Sequence, residues 1–176
     1  VDTVEVSTVI HLPPEDVFDF LTDFPRYANY SEYLREVRQH GDGSPGTEYD
    51  LMFAWWKLSY TARSRVVETD PPNGIDWTIV GDLDADGRWR VEEVADEAPA
   101  DAETASRVFL RVDFDADSAR GGSLGLPRFV SFDWLVGKVA PKIEGEAERV
   151  VERIVTDLEG ERRPVDLRIH SAPSDV

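Results

Sequence analysis

Residues 127–160, PRFVSFDWLVGKVAPKIEGEAERVVERIVTDLEG, carry one helical period from end to end. At 100° per residue Phe129, Phe132, Val136, Val139, Ala140, Ile143, Ala147, Val150, Ile154 and Leu158 gather on one side, with Glu144, Glu148, Arg149, Glu152 and Asp157 opposite. Pro127 suits a first turn, where its missing N–H has no partner to lose, and Gly160 followed by Pro164 ends the run. Pro141 falls inside the pattern near Gly137 and Gly145 on the polar side, so the spacing predicts a bend around a sheet rather than a stop. An apolar stripe of this length needs a whole sheet to cover, and one helix laid across a curved sheet encloses a cavity.

Upstream the period changes to two. Val4, Val6 and Thr8 alternate with Glu5 and Ser7 up to Ile10 and His11, which reads as a first strand. Pro13-Pro14-Glu15-Asp16 opens a short helix bearing Val17, Phe18, Phe20 and Leu21, with acids in the first turn as the helix dipole favours. Pro25 breaks it, and residues 27–34 read as a second short helical or turn piece. Strand patterns follow near 35–40, 47–55, 58–68, 74–80, 87–95 and 104–115. They are separated by turns at Gly41-Asp42-Gly43, Asp70-Pro71-Pro72-Asn73-Gly74, Asp84-Ala85-Asp86-Gly87 and Gly121-Gly122. This order predicts an α+β domain: a curved antiparallel sheet gripping a long C-terminal helix, with two short helices after the first strand. Residues 1–161 are expected to form one domain and 162–176 a tail, in which Val165, Leu167 and Ile169 alternate as an edge strand would.

A chain of 176 residues is long enough to bury roughly 70% of its unfolded surface around one core. No apolar run of about 18 residues and no apolar leader is present, which predicts neither stable membrane insertion nor a signal peptide. There are no cysteines for disulfides or thiolate metal sites. Acidic residues number 36 against 19 basic ones, a net charge of −17, and lysine occurs only at Lys57, Lys138 and Lys142. That balance argues against a nucleic-acid partner. Self-repulsion of such a surface is screened at about 1 M salt, where the Debye length falls to roughly 3 Å, so the composition fits a haloarchaeal cytoplasmic protein. An acidic mesophilic protein is the plainer alternative.

Alternation places Tyr49, Leu51, Phe53 and Trp55 on one face of their strand, and Ile75, Trp77 and Ile79 on a neighbour's. Trp89 and Val91 follow, then Val108, Leu110, Val112 and Phe114. Pointing inward, Phe53, Trp55, Trp77, Trp89, Leu110 and Val112 would face Phe132, Val136 and Ala140 of the long helix. That is more flat apolar surface than a small core needs, and it suits an apolar ligand pocket. Tyr60, Ser64 and Glu93 share this register; Tyr60 and Glu93 are the candidates for general acid or base chemistry in such a pocket.

Asp82, Asp84, Asp86, Gly87 and Glu93 match the calcium-loop pattern D-x-D-x-D-G-x5-E. The context is a hairpin rather than a helix–loop–helix, and a strand through Trp89, Val91 and Glu93 would carry Glu93 away from the aspartates. Asp113, Asp115 and Asp117 repeat half of the spacing, as an acid-rich chain readily does, so no metal is expected there. His11, His40 and His170 show no zinc spacing. Gly121-Gly122-Ser123-Leu124-Gly125 lacks the lysine and strand context of a phosphate loop, so no cofactor is expected.

Three stretches carry a likeness to a known family. They are Pro14 to Tyr27 (PEDVFDFLTDFPRY), Val67-Glu68-Thr69-Asp70-Pro71-Pro72 leading to Ile75-Asp76-Trp77, and Gly87-Arg88-Trp89-Arg90-Val91. On these residues 2–160 resemble the START-like, helix-grip (SRPBCC-type) superfamily, in its polyketide cyclase/dehydrase or coenzyme Q-binding-like branch. Where members carry a tryptophan shortly after the aromatic matching Tyr27, this chain has Asn29-Tyr30. The resemblance implies a deep pocket between sheet and helix for a lipid, isoprenoid, quinone or polyketide-like molecule. Three functions are consistent with it: binding of a hydrophobic small molecule, a cyclase/dehydratase acting in the same cavity, and a protein-interaction or co-chaperone-like module. One fold hosts all three.

Overall fold

The computed structural model describes residues 2–55, 58–81, 83–115 and 132–171, with the side chains of all these except 55, 58 and 132–144. The elements run β1 (Asp2–Ile10), α1 (Pro14–Thr22), a 3-10 segment (Phe24–Asn29), β2 (Leu34–His40), β3 (Glu48–Trp55), β4 (Leu58–Asp70), β5 (Gly74–Val80), β6 (Asp84–Glu93), a 3-10 turn (Ala95–Glu97), β7 (Ser106–Asp115), α2 (Phe132–Glu159) and β8 (Arg168–Ser171). The strands form one sheet in the order β2-β3-β4-β5-β6-β7-β1-β8. Every neighbouring pair is antiparallel. Hairpins make the meander, and β1 closes onto β7 because α1 and the 3-10 segment carry the chain across the sheet to β2.

α1 starts as its sequence dictates. Pro14 occupies the first turn, the Asp16 and Val17 amides donate to the Pro13 carbonyl, and Val17, Phe18, Phe20 and Leu21 are buried on one face. The next piece starts earlier than the helical or turn stretch expected over 27–34. Pro25 does not merely end α1 but opens the 3-10 segment, since its fixed φ and missing N–H suit a first turn. A second difference concerns Asp84-Ala85-Asp86-Gly87, expected as a turn. These residues are paired within β6, Asp84 with Asp115 and Gly87 with both Trp77 and Val112. The chain reverses earlier, at Gly81, whose φ of +143° suits a residue without a Cβ.

α2 runs unbroken through Pro141 and ends where expected. Gly160 at φ +81° donates its N–H to the Thr156 carbonyl at 2.9 Å. Residues 127–131, expected as its first turn, lie outside the described residues. The stretch expected as a tail supplies β8, which pairs Ile169 with Val6 and Arg168 with Ser7.

Register decides which side chains share a face. Leu51, Ala62 and Val37 align across β2 to β4; Val66, Trp77, Gly87, Val112 and Val4 form a row across β4 to β1; Ile75, Trp89, Leu110 and Val6 form the next. This inner face meets the helices. Ile10, Val17, Phe18, Phe20, Leu21, Phe24, Tyr30, Leu34, Val37, Tyr49, Val66, Ile75, Val91, Val108 and Val155 form the buried core, with Val150, Ile154 and Leu158 of α2 packed against it. The outer face is polar and carries ion pairs such as Asp50–Arg63, Glu48–Arg65 and Asp76–Arg90. No helix among the described residues is long and apolar enough to cross a membrane.

Candidate functional site

The inner face divides into two regions. At one end α1, the 3-10 segment and the last turns of α2 seal the sheet. Phe24 stands edge-on to Tyr49 at 4.5 Å and Tyr27 edge-on to Trp89 at 6.4 Å. Tyr27 donates to the Leu21 carbonyl, and burial, with Tyr49 and Asp23 nearby, pushes its phenol well above the ordinary range. Tyr30 is buried edge-on to Phe20.

Toward the other end the same face is apolar and its side chains are less covered by the described residues. Tyr60, Trp77, Ile79, Leu110 and Val112 are half-buried, and Phe53 is 38% exposed although it points inward with them. Phe53 pairs with Tyr60 across β3 and β4, so the phenol and the benzyl ring are cross-strand neighbours. Trp77 is held by what it lies on. A Cβ built on Gly87 would fall 2.0 Å from its Cζ2 and 2.2 Å from its Cε2, so the indole occupies the space a side chain at 87 would need. The glycine that the calcium pattern singled out is thus the seat of a tryptophan.

Of the residues expected to line a pocket, Phe53, Tyr60, Trp77, Leu110 and Val112 share this half-buried face. Trp89 shares the face as well, but packs against the core beside Tyr27. The side chains of Trp55, Phe132, Val136 and Ala140 lie outside the described residues.

The two acid–base candidates are far apart. Tyr60 lies six residues before Val66 on β4, and Glu93 six residues after Gly87 on β6; Val66 and Gly87 both align with Trp77. β4 and β6 run in the same direction, so the candidates are separated by about 40 Å of extended chain at roughly 3.3 Å per residue. Glu93 is exposed and accepts a hydrogen bond from the Thr104 hydroxyl at 3.0 Å. One site cannot use both.

Along β6 the calcium pattern is likewise pulled apart. Asp84 and Asp86 stand exposed at the start of the strand and Glu93 at its far end, about 30 Å from Asp84 by the same rise. Asp82 lies outside the described residues. Asp84 faces Asp115 and Asp86 faces Asp113 across β6 and β7, so the two aspartate runs are cross-strand partners.

One constellation lies outside the sequence expectations. Glu146 of α2 is buried, with Arg153 Nη1 at 3.2 Å and Arg149 Nη1 at 3.5 Å. The same Arg153 nitrogen donates to the Tyr30 carbonyl at 2.7 Å, while Asp157 receives Arg26 at 2.6 Å and the Tyr30 hydroxyl. Those bonds from Tyr30 and Arg26 hold the Asp157 carboxyl below its usual range. The network ties α2 to the 3-10 segment and fixes how far the helix stands from the sheet. A signal exists in the sequence: Glu146 lies three residues after Ile143 and four before Val150, within the stripe itself, with Arg149 and Arg153 one and two turns on.

Comparisons with known proteins agree with this architecture. The family described as polyketide cyclase / dehydrase and lipid transport matches residues 2–159. The crystal structure of ZhuI aromatase/cyclase from Streptomyces sp. R1128 is similar over 89% of this chain and 93% of its own, at 18% identity and a TM-score of 0.61. TTHA0849 from Thermus thermophilus is similar over 90% and 97%, at 17% identity and a TM-score of 0.61. The di-domain ARO/CYC BexL of the BE-7585A biosynthetic pathway is similar over 92% of this chain and 51% of its own, at 17% identity and a TM-score of 0.56. At these identities the likeness is one of fold. No curated protein matches the sequence significantly.

Proposed function

Because the chain belongs to the polyketide cyclase / dehydrase and lipid transport family, we propose that it binds a hydrophobic small molecule between the unfilled end of its inner sheet face and the first turns of α2. The observation that carries this reading is the uneven filling of one continuous apolar face. Beside α1 and the 3-10 segment, Ile75, Val91, Val108 and Tyr49 are buried, as are Leu34 and Val37 of β2, while Phe53, Tyr60, Trp77, Leu110 and Val112 on the same face keep accessible surface. Leaving large apolar side chains uncovered forgoes about 25 cal/mol for each Å² not buried, which a ligand of matching shape recovers. The face offers a lipid, isoprenoid, quinone or polyketide-like molecule mainly dispersion contacts and one phenol, so shape rather than charge sets what enters.

A second reading is a cyclase or dehydratase reaction in the same place, favoured by Tyr60. Its half-buried phenol stands on the apolar face beside Phe53, where a donor would polarise a ligand carbonyl or protonate a leaving oxygen. Glu93 is too distant to act with it. Organic extraction of the purified protein followed by mass spectrometry tests the first reading: a stoichiometric apolar species absent from an unrelated control supports it. Turnover of a poly-β-ketone that falls in Tyr60→Phe while binding is retained supports the second. If Tyr60→Phe converts the substrate as the parent does, that role for Tyr60 is excluded.

A further inference from the structure

The family match ends at residue 159, but the chain goes on to close a cavity of about 60 Å³ against the outer part of β1. Arg163, Asp166 and Arg168 line it from the continuation, Ser7 to Val9 from β1, and Arg107 from β7. In a chain of net charge −17, three guanidinium groups therefore meet at one small hollow, each paired with one carboxylate, Glu97, Glu159 and Asp166. Each arginine is braced. Arg107 Nη2 donates to both Glu97 oxygens at 2.8 and 2.6 Å, Arg163 donates to Glu159 at 2.7 and 2.8 Å, and Arg168 Nε reaches Asp166 at 3.2 Å. Arg163 Nη2 also donates to the Val9 carbonyl at 2.9 Å. Among the described residues, the hydrogen bonds of Arg107 run through Nη2 alone and those of Arg168 through Nε alone, which leaves Nη donors on both for a further acceptor.

We infer that this seam binds a small tetrahedral oxyanion of the phosphate class, gripped by Arg107 from the sheet and by Arg168 from the continuation, while Arg163, whose nitrogens already donate to Glu159, Val9 and Pro164, shapes the wall. A hollow of about 60 Å³ has room for a few waters, and so for one small oxyanion. Guanidinium forks suit such an anion because their N–H groups match its oxygens in pairs. The Ser7 hydroxyl, 2% exposed, stands at the wall with its oxygen 2.7 Å from His170 Nε2, and the Thr8 hydroxyl bonds the Asp166 carbonyl at 3.2 Å. Both contacts fix the continuation against β1. A bound oxyanion adds a third fastening between β7 and the stretch leading into β8, so occupancy stabilises the seating of β8. The site is separate from the apolar inner face and does not depend on what binds there.

Calorimetric titration with inorganic phosphate, at constant ionic strength maintained with KCl, tests this. The parent is expected to show one saturable site. Arg168→Gln, at an exposed position, is expected to weaken it about tenfold, as loss of one charge-assisted contact does. Arg65→Gln, on another part of the outer face, is expected to bind as the parent does. A parallel titration with methyl phosphate separates the sources, since preference for it assigns the site to a phosphomonoester and preference for inorganic phosphate to the free ion. Absence of a saturable site in the parent overturns the inference, as does equal affinity in Arg168→Gln and parent. A thermal melt of each variant without phosphate confirms that it is folded.

Discussion

Trp77 and Gly87, aligned on neighbouring strands, are a matched pair: the indole fills the space where a side chain at 87 would stand, with Cζ2 only 2.0 Å from an added Cβ. Glycine weakens a strand, and an aromatic laid over it restores the lost packing. The pair holds a large ring at the boundary between the sealed and the unfilled parts of the inner face.

Gly87→Ala should therefore displace the indole. Overpacking of this kind costs about 1–3 kcal/mol. The expected outcome is a lower melting temperature with altered tryptophan emission. A variant that melts and emits like the parent would show that the indole is free to move aside.

The outer face supplies a pH prediction. Bonds from Arg63, then His40, hold the Asp50 carboxyl down at about 2, against 3.8 for a free aspartate. A depressed folded-state value means the group stabilises the fold above the unfolded value and loses that contribution as pH falls from about 4 to about 2. Allowing for solvent screening, the contribution is on the order of 1 kcal/mol. Asp50→Asn should be less stable than the parent at pH 7, with the difference closing by about pH 2. Denaturant melts at several pH values measure it; a difference that persists at the acid end would contradict the assignment.

Across β6 and β7, Asp86 faces Asp113. Like charges directly opposite destabilise an antiparallel pair by roughly 0.2–1 kcal/mol, and salt screens exposed charges. Asp86→Asn is expected to raise the melting temperature at low KCl and to have little effect at about 2 M. The parent, with its net charge of −17, should itself become more stable as KCl increases. A melting temperature flat across that range would show that repulsion does not limit this fold.

Arg153 joins buried Glu146 to the Tyr30 carbonyl. Among the described residues, removing it leaves the carboxylate with Arg149 at 3.5 Å. Arg153→Ala should cost about 2 kcal/mol, and Glu146→Gln in the same chain should recover part of the loss, because the uncompensated charge is the larger penalty. A double-mutant cycle reads the coupling; additive effects would show that the two residues act separately.

Much of the fold is legible in the sequence because burial imposes a period. The stripe from Phe132 to Leu158 marks α2, and alternation puts Phe53, Trp77, Leu110 and Val112 on one face, as the register does. The stretch from Asp84 to Gly87 reads as a turn because Gly and Asp serve equally in turns and beneath an aromatic, and only the indole of Trp77 distinguishes the two uses. Pro25 reads as an ending because local chemistry does not say whether a proline closes one helix or opens the next. The remote placement of Tyr60 and Glu93 is hidden for a related reason: both occupy correct register positions, and their separation follows only from how β4, β5 and β6 align. Glu146 escapes notice because a carboxylate in an apolar stripe reads as surface until Arg153 is seen to accompany it inside.

The central claim is that the unfilled end of the inner face takes a hydrophobic ligand, and Phe53→Arg tests it most directly, since Phe53 is already 38% exposed and a charge there should spare the fold. Titration of parent and variant with the apolar fluorophore N-phenyl-1-naphthylamine, beside their melting temperatures, is the measurement. The account predicts saturable binding of one probe per chain in the parent and about tenfold or greater weakening in Phe53→Arg at an unchanged melting temperature. No saturable binding in the parent, or equal binding by a folded Phe53→Arg variant, would contradict it.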